Sequence, residues 1–192
     1  TLQNVILEYV TEQIIQQVCK EIESGEIKLL NSHALIKAQM KEYIREAQAD
    51  FILQEIRQKL NISFGNDSNL EARLKQIIKL QQESPQKPGY VAGNALNMLC
   101  QMATDLRGYD FSHLTVWQAY LQGMILHGVS FADSKLEKSV FTQTFGSVFS
   151  VAFSRDGTLF AIGDFNGEIR LRRVADSQQI LLCKGHTNSV WS

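Results

Sequence analysis

The chain has 192 residues, 44% of them hydrophobic and 20% charged, enough apolar material for a packed core and too much for a wholly disordered chain. Lys and Arg number 19 against 20 Asp and Glu, a formal net charge of −1, which gives no electrostatic grip on polyphosphate and argues against nucleic acid as a main partner. No run approaches the roughly 18 consecutive apolar residues of a membrane span, so no membrane partner is expected.

The cysteines, Cys19, Cys100 and Cys183, are widely spaced and form no CxxC pair. An odd, sparse set points to reduced thiols and a cytoplasmic protein. The N-terminus begins Thr1-Leu2-Gln3, with neither a basic signal-peptide region nor an initiator Met, and the chain is expected to be a piece of a longer protein.

In chain order, Val5, Ile6, Tyr9, Val10, Ile14, Val18 and Ile22 recur at helical spacing, which predicts one amphipathic helix stopped by Ser24-Gly25. A second helix is predicted from an N-cap at Ser32, with Ile36, Met40, Tyr43, Ile44, Ala47, Phe51, Ile56 and Leu60 on its apolar stripe. Asn61 to Asn69 reads as a polar loop. Ser68 and Glu71 fit a capping box for a third helix, whose stripe is Leu70, Leu74, Ile77 and Ile78. The segment from Gln81 to Gly89 holds both prolines and marks a boundary. A short helix follows, with Val91, Ala95, Leu96, Leu99 and Met102 on one side.

From Thr104 the apolar period becomes five. Leu106, Phe111, Val116, Leu121, Leu126, Phe131, Leu136 and Phe141 are each five residues apart. Helices and strands have periods of 3.6 and 2, so neither explains this. A square coil does: five residues per side, four sides per turn, each inward residue stacked on the one 20 later, with turns about 4.8 Å apart. The position two before each inward residue is also inward, bulky at Tyr109, Leu114 and Met124 and small at Ser134 and Ser139. This pattern resembles the pentapeptide-repeat β-helix, which implies a short right-handed coil over 104–143.

From Val148 the period becomes two. Arg155-Asp156-Gly157 is a turn, Leu159 to Gly163 a strand, and Asn166-Gly167 a two-residue hairpin, since both positions tolerate positive φ. Strands around Ile169-Leu171 and over Gln179 to Cys183 follow, then Gly185-His186. Ser147-Val148-Phe149-Ser150 returns as Ser189-Val190-Trp191-Ser192, an offset of 189 − 147 = 42 residues. Four strands at that period match one propeller blade. With SVAFSRDG, IRLRR and GHTNSVWS, the segment resembles the WD-repeat β-propeller family, and the resemblance assigns Asp156, Gly157, Asn166, Gly167, Gly185 and His186 as the blade signature. Arg172-Arg173 stand where the family has Trp-Asp, Asn166 where it has its turn Asp, and Gln143-Thr144 where it has Gly-His. The family's buried hydrogen-bond staple is therefore expected to be largely absent, and the blade to be weak.

The order of helices, coil and blade resembles the central stretch of bacterial NB-ARC/NACHT-type signalling NTPases with WD repeats. The implied fold class is α+β and multi-domain: a helical domain over 1–88, a linker helix over 89–103, the coil over 104–143, and a blade with the start of the next over 144–192. The implied role is a non-catalytic segment linking an NTPase module to a propeller sensor, with protein partners taken through the propeller. The alternative is part of an ATP-dependent signalling NTPase whose P-loop lies outside this segment.

The residues themselves carry no catalytic motif. GxxxxGK[ST], GxGxxG, GxSxG and HExxH are missing, so no enzyme, cofactor or metal site is expected. His113 and His127 fall at outward coil positions. Glu42, Glu46, Asp50 and Glu55 read as a solvated helix face, Cys100 as a small core residue, and Trp117 as an outward aromatic packed on the helices.

Overall fold

The computed structural model describes residues 2–83, 87–141, 148–165, 167–175 and 178–190. Its contacts divide the chain into two compact units, Thr1–Phe141 and Thr142–Ser192.

The first unit opens with α1 (Leu2–Ser24). Its core residues, Ile15, Val18, Cys19 and Ile22, lie in the second half, whereas Val5, Ile6, Tyr9 and Val10 are exposed. Gly25, at φ +85°, ends the helix as expected. Next comes a single turn, α2 (Leu29–Ser32), whose first N–H groups are taken by the buried carboxylate of Glu21. Lys28 N, Leu29 N and Leu30 N donate to it at 2.9, 2.8 and 2.9 Å. That carboxylate replaces the N-cap side chain the turn itself lacks.

Ser32 thus closes a turn and starts no long helix. Residues 33–38 are irregular and bury Leu35, Ile36 and Ala38. The N–H groups of Leu35, Lys37 and Ala38 bond to the side-chain amides of Asn94, Gln48 and Gln118, which competes successfully with helix formation. The helix resumes as α3 (Glu42–Gln48), passes through a π-helical segment (Ala49–Leu53) and continues as α4 (Gln54–Phe64). The wider π turn resets the inward face. Leu53, Ile56 and Leu60 are buried, while Met40, Tyr43 and Phe51, expected on the same stripe, are exposed.

The predicted loop Asn61–Asn69 shrinks to two residues. Gly65, at φ +89°, closes α4, and α5 (Asp67–Glu83) begins at once. The cap is Asn66, whose Oδ1 accepts from Asn69 N at 2.9 Å; Ser68 already lies inside the helix. Leu70, Leu74, Ile77 and Ile78 are buried as predicted. The boundary expected around the two prolines includes Ser84, Pro85 and Gln86, which lie outside the described residues.

Helix α6 (Val91–Gln101) is buried on every side from Val91 to Leu99, the pattern of a helix enclosed in a core. After it, residues 104–141 wind through two turns of a coil. Parallel bridges join Asp110 to Ser130, Thr115 to Lys135 and Tyr120 to Val140, each pair 20 residues apart. Phe111 N donates to Ser130 O, Val116 N to Lys135 O and Leu121 N to Val140 O, all at 2.8 Å. Leu106, Phe111, Val116 and Leu121 are fully buried; Leu126, Phe131, Leu136 and Phe141 are partly buried against the same core as the helices. The Phe111 and Phe131 rings stack at 5.4 Å and 11°.

The second unit is a four-stranded antiparallel sheet in the order β1 (Val148–Phe153), β2 (Leu159–Asp164), β3 (Glu168–Arg173), β4 (Gln179–Lys184). Its strands match the period-two segments. The chain is therefore mixed, helices plus an antiparallel sheet.

Candidate functional site

Three polar arrangements organise the molecule. The first ties α6 to its surroundings. Asn94 Nδ2 donates to Leu30 O and His33 O, both at 2.8 Å, and its Oδ1 accepts from Leu35 N at 2.9 Å. Asn97 Nδ2 donates to Gln118 O at 2.9 Å and its Oδ1 accepts from Tyr120 N at 2.8 Å. Gln118 Oε1 in turn accepts from Ala38 N at 2.8 Å. Buried amides used this fully are structural ties. Gly93 permits the close approach: a Cβ there would lie 1.9 Å from Trp117 O. Trp117 is half-buried, its ring edge-on to Tyr90 at 5.4 Å.

The second arrangement sets the corners of the coil. Gly108, His113, Gln118, Gly123, Gly128, Asp133 and Lys138 all have positive φ, between +56° and +78°. Each stands two residues after an inward residue. In five of these turns a residue's N–H returns to the carbonyl three earlier, as Tyr109 N to Leu106 O and Ser139 N to Leu136 O, both at 3.1 Å. Positive φ at the third residue of such a turn is the type II geometry. Only three of the seven corners are Gly, so the sequence signal for them is diluted.

The third lies in the sheet. Asp164, with 0% exposure, accepts from Arg170 Nη1 at 2.7 Å and from Glu168 N at 3.0 Å. Arg170 also pairs with Glu168, which Lys184 reaches at 3.3 Å. Sequence reasoning missed this network. Its signal was the same-face spacing of Glu168 and Arg170 on a strand, facing Asp164 across the hairpin.

The predicted blade residues are split between two ends of the sheet. At the β1–β2 turn, Asp156 Oδ1 accepts from Ser154 Oγ at 2.6 Å, Thr158 N at 3.0 Å and Thr158 Oγ1 at 2.9 Å. These bonds, led by that from Ser154, lower its pKa to about 2. Gly157 follows at φ +69°. At the opposite end, Gly167 packs beneath the chain leaving β4, where a Cβ would meet His186 O at 2.4 Å. The His186 and Gly185 residues are exposed. Asn166 lies outside the described residues, as do Gln143, Thr144, Ser147, Trp191 and Ser192. Val190 is described and buried, and its N–H donates to Asp164 O at 3.2 Å.

The described residues hold no group of three or more His, Cys, Asp or Glu suited to a metal ion. Burial pushes the Cys100 thiol up to about 12 and the Cys19 thiol up to about 11, far from a nucleophile's range. The His113 and Asp133 side chains are exposed, 3.8 Å apart on an outer corner. An open cleft of about 290 Å³ lies beside the π segment, and there Arg45 stacks over Tyr120 at 3.7 Å from the ring centre. No described helix is long and apolar enough to cross a membrane.

Two curated proteins of the cyanobacterium Nostoc sp. are similar to this chain, both named as uncharacterized WD repeat-containing proteins. One is 41% identical over an alignment covering 99% of this chain and 18% of its own length. The other is 38% identical over 62% of this chain and 8% of its own length. The chain is similar to WD repeat-containing proteins. It spans less than a fifth of the length of these relatives. No family model matches the chain, and no solved structure does.

Proposed function

We infer that this chain is a non-catalytic interaction segment in which a helical body carrying a pentapeptide-type β-helix precedes the first blade of a WD-repeat propeller. In this reading residues 1–88 form the helical domain, 89–103 the linker helix, 104–143 the coil and 144–192 the blade with the start of its successor. The full-length protein would couple an NTPase signalling module to a propeller that takes protein partners in the cytoplasm, with nucleotide chemistry carried outside these residues.

The observation that carries the reading is the chain path after β4. It returns past Gly167 and places Val190, the counterpart of Val148 at the 42-residue offset, on the backbone of Asp164. The WD-repeat names of the two relatives support the same reading. Two measurements test it. Titration with ATP should give no heat above buffer, and stoichiometric nucleotide binding would overturn the scaffold role. Lengthening the protein by the next 42-residue repeat should slow amide exchange in β1–β4; unchanged exchange there would remove the blade assignment.

A further inference from the structure

The helical run from α3 to α4 turns a continuous aromatic and acidic face to solvent. From Glu42 to Glu55 its exposed positions are Glu42, Tyr43, Glu46, Asp50, Phe51 and Glu55. Tyr43 is 66% and Phe51 71% exposed. At about 1.5 Å per residue the face is about 20 Å long. Of the run's basic side chains, Arg57 pairs with Asp67, Lys59 with Glu12, and Arg45 stacks on Tyr120 in the cleft that Glu42 and Glu46 also line, while the exposed Lys41 caps its N-terminal end. A chain of net charge −1 thus gathers four carboxylates around two exposed rings.

The π segment makes this face. It buries Leu53 while turning Phe51 outward. An uninterrupted α-helix would keep Phe51 in register with the inward stripe of α3. Leaving a Phe in water forfeits the transfer free energy its burial would supply, and π segments concentrate at functional positions. Exposed aromatic anchors with a charged rim are the make-up of a protein-binding surface.

We propose that this face, centred on Tyr43 and Phe51 and rimmed by Glu46, Asp50 and Glu55, docks a basic amphipathic helix of a partner protein. Charge selects the occupant. Lys or Arg side chains meet the carboxylates and lie against the two rings, while the partner's Leu or Met residues cover Phe51. Anionic lipid and nucleic acid are repelled by the same rim. An isologous pairing with a second copy sets carboxylates against carboxylates. The proposal rests on unit one alone and stands apart from the propeller reading.

The test uses the intact 192-residue protein and a synthetic 18-residue peptide of Leu and Lys with all Leu on one helical face. Binding is read by fluorescence anisotropy at 50 and 300 mM salt. The expected result is micromolar binding that weakens with salt, and at least tenfold weaker binding of a scrambled peptide of identical composition. Phe51→Ser and Asp50→Lys should each weaken binding at least tenfold, with Tm unchanged because both positions are exposed; Glu26→Lys, away from the face, should have no such effect. Equal binding of the scrambled peptide, or wild-type affinity in Phe51→Ser, would overturn the proposal. So would a dimer of the protein alone that Phe51→Ser dissociates, since a second copy would then be the occupant.

Discussion

At the scale of single residues, the coil's corners separate conformational strain from contact. Lys138 holds a left-handed backbone at φ +59° with a full side chain, which costs an L-residue about 1–2 kcal/mol. Lys138→Gly should remove that cost against a smaller loss of chain entropy, raising stability by up to about 1 kcal/mol in thermal unfolding. Gly128→Ala tests the converse. Its Cβ would meet only Gly108 N, at an ordinary 3.8 Å, so a loss of about 1 kcal/mol would report the dihedral angle alone. A stabilising Gly128→Ala would refute the type II corner.

Glu21 supplies a pH dependence. Burial pushes its pKa up; the Gln17 side chain and the backbone N–H groups of Leu30, Leu29 and Lys28 more than offset this, leaving it below the ordinary value. A depressed folded pKa contributes stability in full above the unfolded value, about 4.3 for Glu, and loses it as pH falls through the folded pKa. Glu21→Gln should therefore cost about 1–3 kcal/mol at pH 7. Its deficit relative to wild type should close as pH drops below about 4. A constant deficit down to pH 2 in chemical denaturation would show that the charge is not what caps α2.

At the scale of elements, α6 is an axle enclosed by its neighbours. Gly93→Ala pushes a methyl into Trp117 O, a backbone atom that cannot rotate away, and should destabilise by about 3 kcal/mol. An effect within about 0.5 kcal/mol, normal for a surface site, would mean that the coil does not press on α6 as described. In the sheet, Asp164→Ala leaves the Arg170 guanidinium without its buried carboxylate and should cost about 3–5 kcal/mol. Replacing the pair by Asp164→Leu with Arg170→Met should recover much of that loss, because well-packed apolar residues can substitute for a buried ion pair.

These elements also show how far the sequence could be read. The period of five is legible because stacking at 20 residues leaves one chemical type at one phase; Leu106, Phe111, Val116 and Leu121 are fully buried and Leu126, Phe131, Leu136 and Phe141 partly so. The strands were visible for the same reason. The helical boundaries were less so. Residues 33–38 carry helix-compatible apolar spacing, yet the N–H groups of Leu35 and Ala38 are claimed by Asn94 and Gln118, which lie 59 and 80 residues further along. Local periodicity carries no trace of such distant partners. The π segment likewise broke the stripe at Phe51 without any glycine or proline to announce it. Asp164 and Arg170 are not singled out by the sequence because the expected staple centres on a Trp, whereas the polar core of the sheet is ionic.

On the scale of the whole molecule, besides the local bonds at its corners, the coil is held by hydrogen bonds that run from one turn to the next. Those bonds join residues about 20 positions apart in parallel register. A pull on the chain beyond Phe141 therefore loads them one after another, beginning at Val140 and Leu121, in the manner of a zipper and not of a shear plane. The outer turn should let go as a unit at low force, while the inner turn stays anchored through Asn97 to α6. Releasing 20 residues lengthens the chain by about 70 Å. Optical-trap stretching from the two ends should record a step of that size before the helical core gives way. The coil would then serve as a force-limited spacer, paying out length between whatever stands on its two sides before either is torn.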